Sequence, residues 1–212
     1  SSKTDYQIDL EGAISANELY YDNLKVFNIS SKRLKINKSL EIKNLLMESY
    51  GGEILLNIYN SDLSSDNQNW LIDGELSSLN IKKLMKSFND FDQEYIKNEH
   101  ISGNISSDFN SKLIFDSLNN WDFQNSSIES KNTFKEIVLL DYPFLYDILK
   151  VFESSVITRN IIDINHYEKN LHKVVFKDFK SNIISSDGIT EIDKTNFEND
   201  VLDFSFYGNY NL

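Results

Sequence analysis

Along most of this chain apolar and polar residues alternate. Tyr6, Ile8, Leu10, Gly12 and Ile14 occupy even positions, with Gln7, Asp9, Glu11 and Ala13 between them. A strand sends successive side chains to opposite faces, so this period of two predicts a half-buried β-strand. The pattern returns at Leu34 and Ile36, extends to Leu40 and Ile42, and resumes at Ile54, Leu56 and Ile58. Trp70, Ile72, Gly74 and Leu76 follow it, as do Ile101, Gly103, Ile105, Ser107 and Phe109, and finally Leu202, Phe204, Phe206, Gly208, Tyr210 and Leu212. Polar segments such as Asn60-Ser61-Asp62 and Ser185-Ser186-Asp187-Gly188 separate the runs with residues that favour turns. The expectation is an antiparallel meander with one apolar and one wet face.

Two segments break the period. From Ile81, apolar residues fall at Leu84, Met85, Phe88, Phe91, Tyr95 and Ile96, steps of three and four that predict an amphipathic helix of about four turns capped by Asn80. The second begins at Asp141-Tyr142-Pro143, where Asp suits a cap and Pro the first turn. It places Phe144, Leu145, Ile148, Leu149 and Phe152 on one face before Ser154-Ser155. Each helix follows a strand, at residues 70–76 and 134–140, which suggests a duplicated strand–helix–strand unit. The polar stretch 61–69 reads as a loop, because alternation resumes on both sides. One continuous sheet in a mainly β (α+β) domain is the expectation.

Composition narrows the function classes. The chain of 212 residues has 21 Lys plus Arg against 33 Asp plus Glu, a net charge of −12. That balance argues against the phosphate-neutralising surface of a nucleic-acid binder and disfavours adhesion to an anionic bilayer. Without cysteine there is no disulfide, thiolate metal site or Cys nucleophile. The longest apolar runs, such as Ile137-Val138-Leu139-Leu140, fall far below the roughly 20 residues of a membrane span. The opening Ser1-Ser2-Lys3 reads as a processed or excised piece. His100, His166 and His172 lack metal-ligand spacing, Asp62, Asp66 and Asp73 lack the offsets of a calcium loop, and no nucleophile elbow or phosphate loop occurs. No enzyme, metal or cofactor is expected. Four Asn-x-Ser sequons (Asn28, Asn37, Asn104, Asn125) are unremarkable in so Asn- and Ser-rich a chain. Trp70 shares a face with Ile72 and Leu76 and reads as core. Trp121 follows Asn119-Asn120 in a turn-like stretch.

From Tyr50-Gly51-Gly52, which opens the alternating run 53–60, the chain resembles the AsmA-like envelope proteins of diderm bacteria. Asp73-Gly74-Glu75-Leu76 is similar to the family's x-Gly-x-Leu strand running into a short amphipathic helix, here Leu79-Asn80-Ile81-Lys82-Lys83-Leu84 onward. Ile101-Ser102-Gly103-Asn104-Ile105 resembles its return to the sheet, and residues 183–189 and 192–210 its closing strand–turn–strand. The resemblance covers residues 40–212. It implies a long, strongly twisted antiparallel sheet curled into a trough, with two short amphipathic helices, and a single AsmA-like domain over residues 1–212. It further implies a periplasmic portion of a longer protein tethered to the inner membrane by an N-terminal helix absent here. The implied role is to accommodate or conduct phospholipid between inner and outer membranes, or to support outer-membrane assembly, with an envelope protein as possible partner.

The residues themselves are compatible with that role. An acyl tail of about 16 carbons costs on the order of 12 kcal/mol to expose to water, so a carrier needs a continuous apolar lining. About ten strands at roughly 4.8 Å spacing would make a trough of about 50 Å. The expected lipid-contacting residues are Ile54, Leu56, Ile58, Trp70, Ile72, Ile101, Ile105, Phe109, Leu202, Phe204 and Phe206. Two other readings use the same strands: a structural subunit of an envelope complex joined through a sheet edge, and a glycan-binding domain using Trp70 or Trp121. The helices could also simply cover the apolar face as an ordinary α+β core.

Overall fold

The computed structural model describes residues 9–21, 23–94, 96–154, 169–199, 201 and 203–211. It contains one antiparallel sheet of eleven strands. The first seven are β1 (Leu10–Tyr21), β2 (Leu24–Ile36), β3 (Leu40–Ser49), β4 (Gly52–Asn60), β5 (Gln68–Asn80), β6 (Ile101–Phe115) and β7 (Ser127–Leu140). The last four are β8 (Lys173–Val175), β9 (Phe179–Ser186), β10 (Ile189–Phe197) and β11 (Phe204–Asn211). Neighbours in the sheet follow chain order from β1 to β7, then β9, β10 and β11, while β8 also pairs with β7. The sheet is curled but not closed, so β1 and β11 are edges.

Residues directly opposite one another in antiparallel strands share a face. One row across the sheet reads Leu45, Leu56, Gly74, Phe109, Ser130, Ile183, Ile192 and Gly208; the next reads Ile42, Ile58, Ile72, Ser111, Ile128 and Ser185. The opposite face carries rows such as Leu55, Glu75, Asp108, Lys131 and Asn182. One apolar and one wet face are therefore realised. Small polar residues are set into the apolar face, and their side chains bond the backbone: Ser31 Oγ donates to Lys43 O at 2.6 Å, Ser49 Oγ to Lys25 O at 2.6 Å, and Asn132 Nδ2 to Ser181 O at 3.2 Å.

Alternation alone would keep each strand in one phase, but bulges reset it. Asn28, Asn44, Ser78 and Glu136 take positive φ (52°, 50°, 56° and 55°) beside register shifts in β2, β3, β5 and β7. An extra residue at each point moves the apolar face from even to odd numbers or back, so Leu79 continues the face of Leu76, and Ile137 that of Phe134. The freed amides are capped across the ladder: Asn44 N–H donates to Asn57 Oδ1 at 2.9 Å, Ser78 N–H to Ser106 Oγ at 2.9 Å, and Glu136 N–H to Asp178 Oδ1 at 3.3 Å. The last of these lies at the gap between β8 and β9, which hold one common register against β7 on either side of it.

The tight turns match their residues. Tyr50-Gly51 joins the paired Ser49 and Gly52, and Asp187-Gly188 joins Ser186 and Ile189; each dipeptide has positive φ at both positions (51° and 82°, 53° and 75°), as a two-residue hairpin requires.

Helix α1 is shorter than its stripe, whereas α2 has the expected extent. Helix α1 (Ile81–Ser87) begins as expected, with Lys83 N–H donating to Asn80 Oδ1 at 2.9 Å, yet it ends after two turns. Asn89, Asp90, Phe91 and Asp92 all have left-handed φ (49°, 54°, 56° and 54°), and the Asp90 carboxylate accepts from Asn98 N–H at 2.8 Å. Asn and Asp tolerate that conformation and bond locally, so they stop the helix before Ile96. Tyr95 lies outside the described residues. Helix α2 (Pro143–Ser154) starts at its proline, while the Asp141 carboxylate meets His172 Nδ1. Ile81, Met85, Leu145 and Leu149 form a core with Ile137, Leu139, Leu171, Val174 and Phe176. A second core, Val26, Ile29 and Leu45 with Ile14, Ile42, Met47, Leu56 and Ile58 around it, is made by strand side chains packing on one another.

Candidate functional site

Between the helix-covered core and the β11 edge lies a cavity of about 280 Å³. Its wall is built from Ile96, Ile101, Phe134, Ile137, Leu139, Phe176, Phe179, Ser181, Ile183, Ile192, Thr195, Phe197, Phe204 and Phe206. None of these side chains is ionisable. The Thr195 hydroxyl is turned to Asp193 O at 3.1 Å, so it offers little to a ligand.

The rings form a connected series across four strands. Phe134 stacks on Phe179 (4.7 Å, 15°), Phe179 tilts against Phe197 (4.6 Å, 57°), and Phe197 stacks on Phe204 (4.8 Å, 14°). Phe176 meets Phe204 edge-on at 6.1 Å. Each such pair contributes about 0.5–1.5 kcal/mol beyond simple area burial, which keeps the wall in place without a ligand. Closure is graded: Ile137, Leu139 and Phe176 are buried in the core, whereas Phe204 and Phe206 at the edge are 39% and 54% exposed.

A larger hollow of about 790 Å³ lies by the Tyr50-Gly51 turn, with Lys25, Lys83 and Lys86 beside Glu48 and Glu53. Charges of both signs partly offset one another there. Elsewhere, shifted carboxyls belong to local structure. Lys43 and then Arg33 hold Glu41 below the ordinary range, Ser64 does so for Asp62, and Asn120 for Asp116. Burial raises the Tyr142 hydroxyl. Among the described residues no three His, Asp or Glu side chains cluster as metal ligands would. His166 lies outside the described residues, while His100 Nδ1 meets Leu140 O at 3.1 Å.

Of the residues expected from the sequence to contact lipid, Ile101, Phe204 and Phe206 line the cavity. Ile105 packs beside the helix-covered core, and Leu56 and Ile58 beside the strand-only core. Ile54, Trp70, Ile72 and Phe109 lie on the same face, half-buried and outside the cavity. Leu202 lies outside the described residues. Trp121 is 47% exposed and donates its indole N–H to Ser126 Oγ at 2.9 Å, so it fastens the loop before β7. The sequence reading missed Phe134, Phe176, Phe179 and Phe197. Phe134 and Phe179 are paired across β7 and β9 and follow the alternation of Ile183. Phe176 and Phe197 were hidden because the β8–β9 gap and a register shift in β10 change their parity.

The fold and cavity together define the class: an open, curled antiparallel sheet carrying an apolar cavity on its apolar face. Compared with protein-family models, curated proteins and solved structures, the chain matches none of them.

Proposed function

We propose that this chain accommodates acyl lipid without chemical turnover, as an AsmA-like trough domain on the periplasmic side of a diderm envelope, passing or holding phospholipid between the two membranes. The carrying observation is the cavity whose wall lacks any ionisable side chain and whose exposed members, Phe204 and Phe206, lie on the edge strand β11. Its volume lies near the low end of small-molecule sites. If a methylene takes about as much space as a water, roughly 30 Å³, the cavity holds about nine. Removing nine methylenes from water is worth on the order of 7 kcal/mol, from which the cost of association is subtracted. The remainder of a longer tail lies along the adjoining row of Phe109, Gly74 and Leu56, with Ile54, Ile58, Trp70 and Ile72 on the same face. A headgroup stays outside in water, where the acidic wet face keeps the loaded domain dispersed.

The test is extraction of the purified protein with organic solvent and mass spectrometry of the extract. Phospholipid or fatty acid in stoichiometric amount is expected from the wild type, and a severalfold loss from Ile183→Asp, which puts a carboxylate into the cavity wall. Ile184→Asp, one residue along on the wet face, retains the lipid. Equal yields from the two variants would overturn the proposal.

A further inference from the structure

We propose that β11 is the pairing edge of a two-fold dimer, in which two copies of this chain join their sheets through antiparallel β11 strands. Edge strands of soluble proteins are usually protected by Lys, Glu, Pro, a bulge or a cover. β11 has none of the protective residues: Phe204–Asn211 reads FSFYGNYN, all eight residues are exposed, and it pairs only with β10 among the described residues. The other edge, β1, carries Glu11 and Glu18. Two chains of charge −12 repel each other, and an uncharged strand is where they can approach at least cost.

The sequence of β11 also fits itself. In a two-fold register centred on Tyr207, Phe206 faces Gly208 of the second copy, Ser205 faces Asn209, and Phe204 faces Tyr210. Aromatic, hydroxyl–amide and aromatic–glycine pairs result, with no like charges opposed. The molecule already contains the aromatic–glycine pair: Gly74 lies opposite Phe109, whose ring edge would stand 3.2 Å from a Cβ at that glycine. Gly208 has nothing within 4 Å of the same point and is open to such a ring. Phe204 and Phe206 line the cavity at this edge, so Tyr210 of the second copy would complete its lip. The pairing stands whether or not the cavity holds lipid.

Sedimentation velocity over a wide concentration range tests it. A dimer is expected for the wild type and a monomer for Tyr207→Lys, which opposes two cations at the axis; far-ultraviolet circular dichroism should not change, since Tyr207 is 69% exposed. Leu19→Lys on β1 leaves the dimer intact. Because the chain has no cysteine, Tyr207→Cys gives a single probe. Directly opposed strand residues lie about 4.5–5.5 Å apart at Cα, within disulfide reach, so mild oxidation yields a covalent dimer. A wild-type monomer at every concentration, or a dimer indifferent to Tyr207→Lys, overturns the inference.

Discussion

Asn57 holds two strands at once: its side-chain oxygen caps the Asn44 amide at 2.9 Å, and its Nδ2 donates to Asp73 Oδ2 at 2.8 Å. Asn57→Ala leaves the bulge amide without its partner and should cost about 1 kcal/mol, read as a lower urea midpoint at unchanged slope. Gly103 is constrained more severely. Its φ is +129°, and an added Cβ would stand 2.6 Å from Ile137 Cδ1 and 2.9 Å from two carbonyl oxygens of β7. Gly103→Ala should therefore lose about 2 kcal/mol or more, as strain in a sparsely populated backbone region adds to the clash. The shifted carboxyls contribute to the pH response. Glu41, Asp62 and Asp116 titrate below their ordinary values when folded, so the unfolded chain takes up protons first on acidification. Their contribution is complete above the ordinary carboxylate pKa of about 4 and is lost as pH falls through the folded values. Urea midpoints should hold steady from neutral pH to about 5 and drop below about 4, with a smaller drop in Asp62→Asn/Asp116→Asn; an undiminished drop would contradict the assignment. Chemical type made these turn and cap residues partly legible in the sequence. The bulge at Glu136 was not, because nothing about a glutamate announces a positive φ.

At the scale of elements, strands were legible because alternation is an outcome of geometry, and helix starts because Asn80 and Pro143 have local roles. The length of α2 was legible too, but that of α1 was not. The stripe through Phe88, Phe91 and Ile96 has helical spacing, yet Asn89 to Asp92 turn left-handed, and Phe88 and Phe91 stack on each other at 5.5 Å, about half exposed. Spacing counts residues and does not register a local hydrogen bond that competes with the helix. Phase shifts hid Leu79 in the same way. This residue is 2% exposed, and it follows the bulge at Ser78 on the face set by Leu76. Leu79→Ala should destabilise the domain by about 2–5 kcal/mol in urea unfolding, since it empties a packed site rather than trimming a surface. A loss under about 1 kcal/mol would mean that the β5–α1 junction collapses around the gap.

For the whole molecule, the one-sided sheet was legible, and its division into covered and open parts was not. The apolar face of the first strands packs on itself around Val26, Ile29 and Leu45, while α1 and α2 cover one end of β6–β8. Among the described residues, the stretch toward β11 keeps a cavity lined almost wholly by aliphatic and aromatic side chains. That contrast arises from curl and from two short helices, both of which depend on residues far apart in the chain. The most direct test is titration of delipidated protein with a fluorescent fatty acid, followed by displacement with palmitate. The account predicts saturable, palmitate-displaceable binding that Phe179→Asp abolishes and Leu46→Asp, on the wet face, preserves. Absence of saturable uptake by the folded, delipidated wild type, or uptake unaffected by Phe179→Asp, would contradict it.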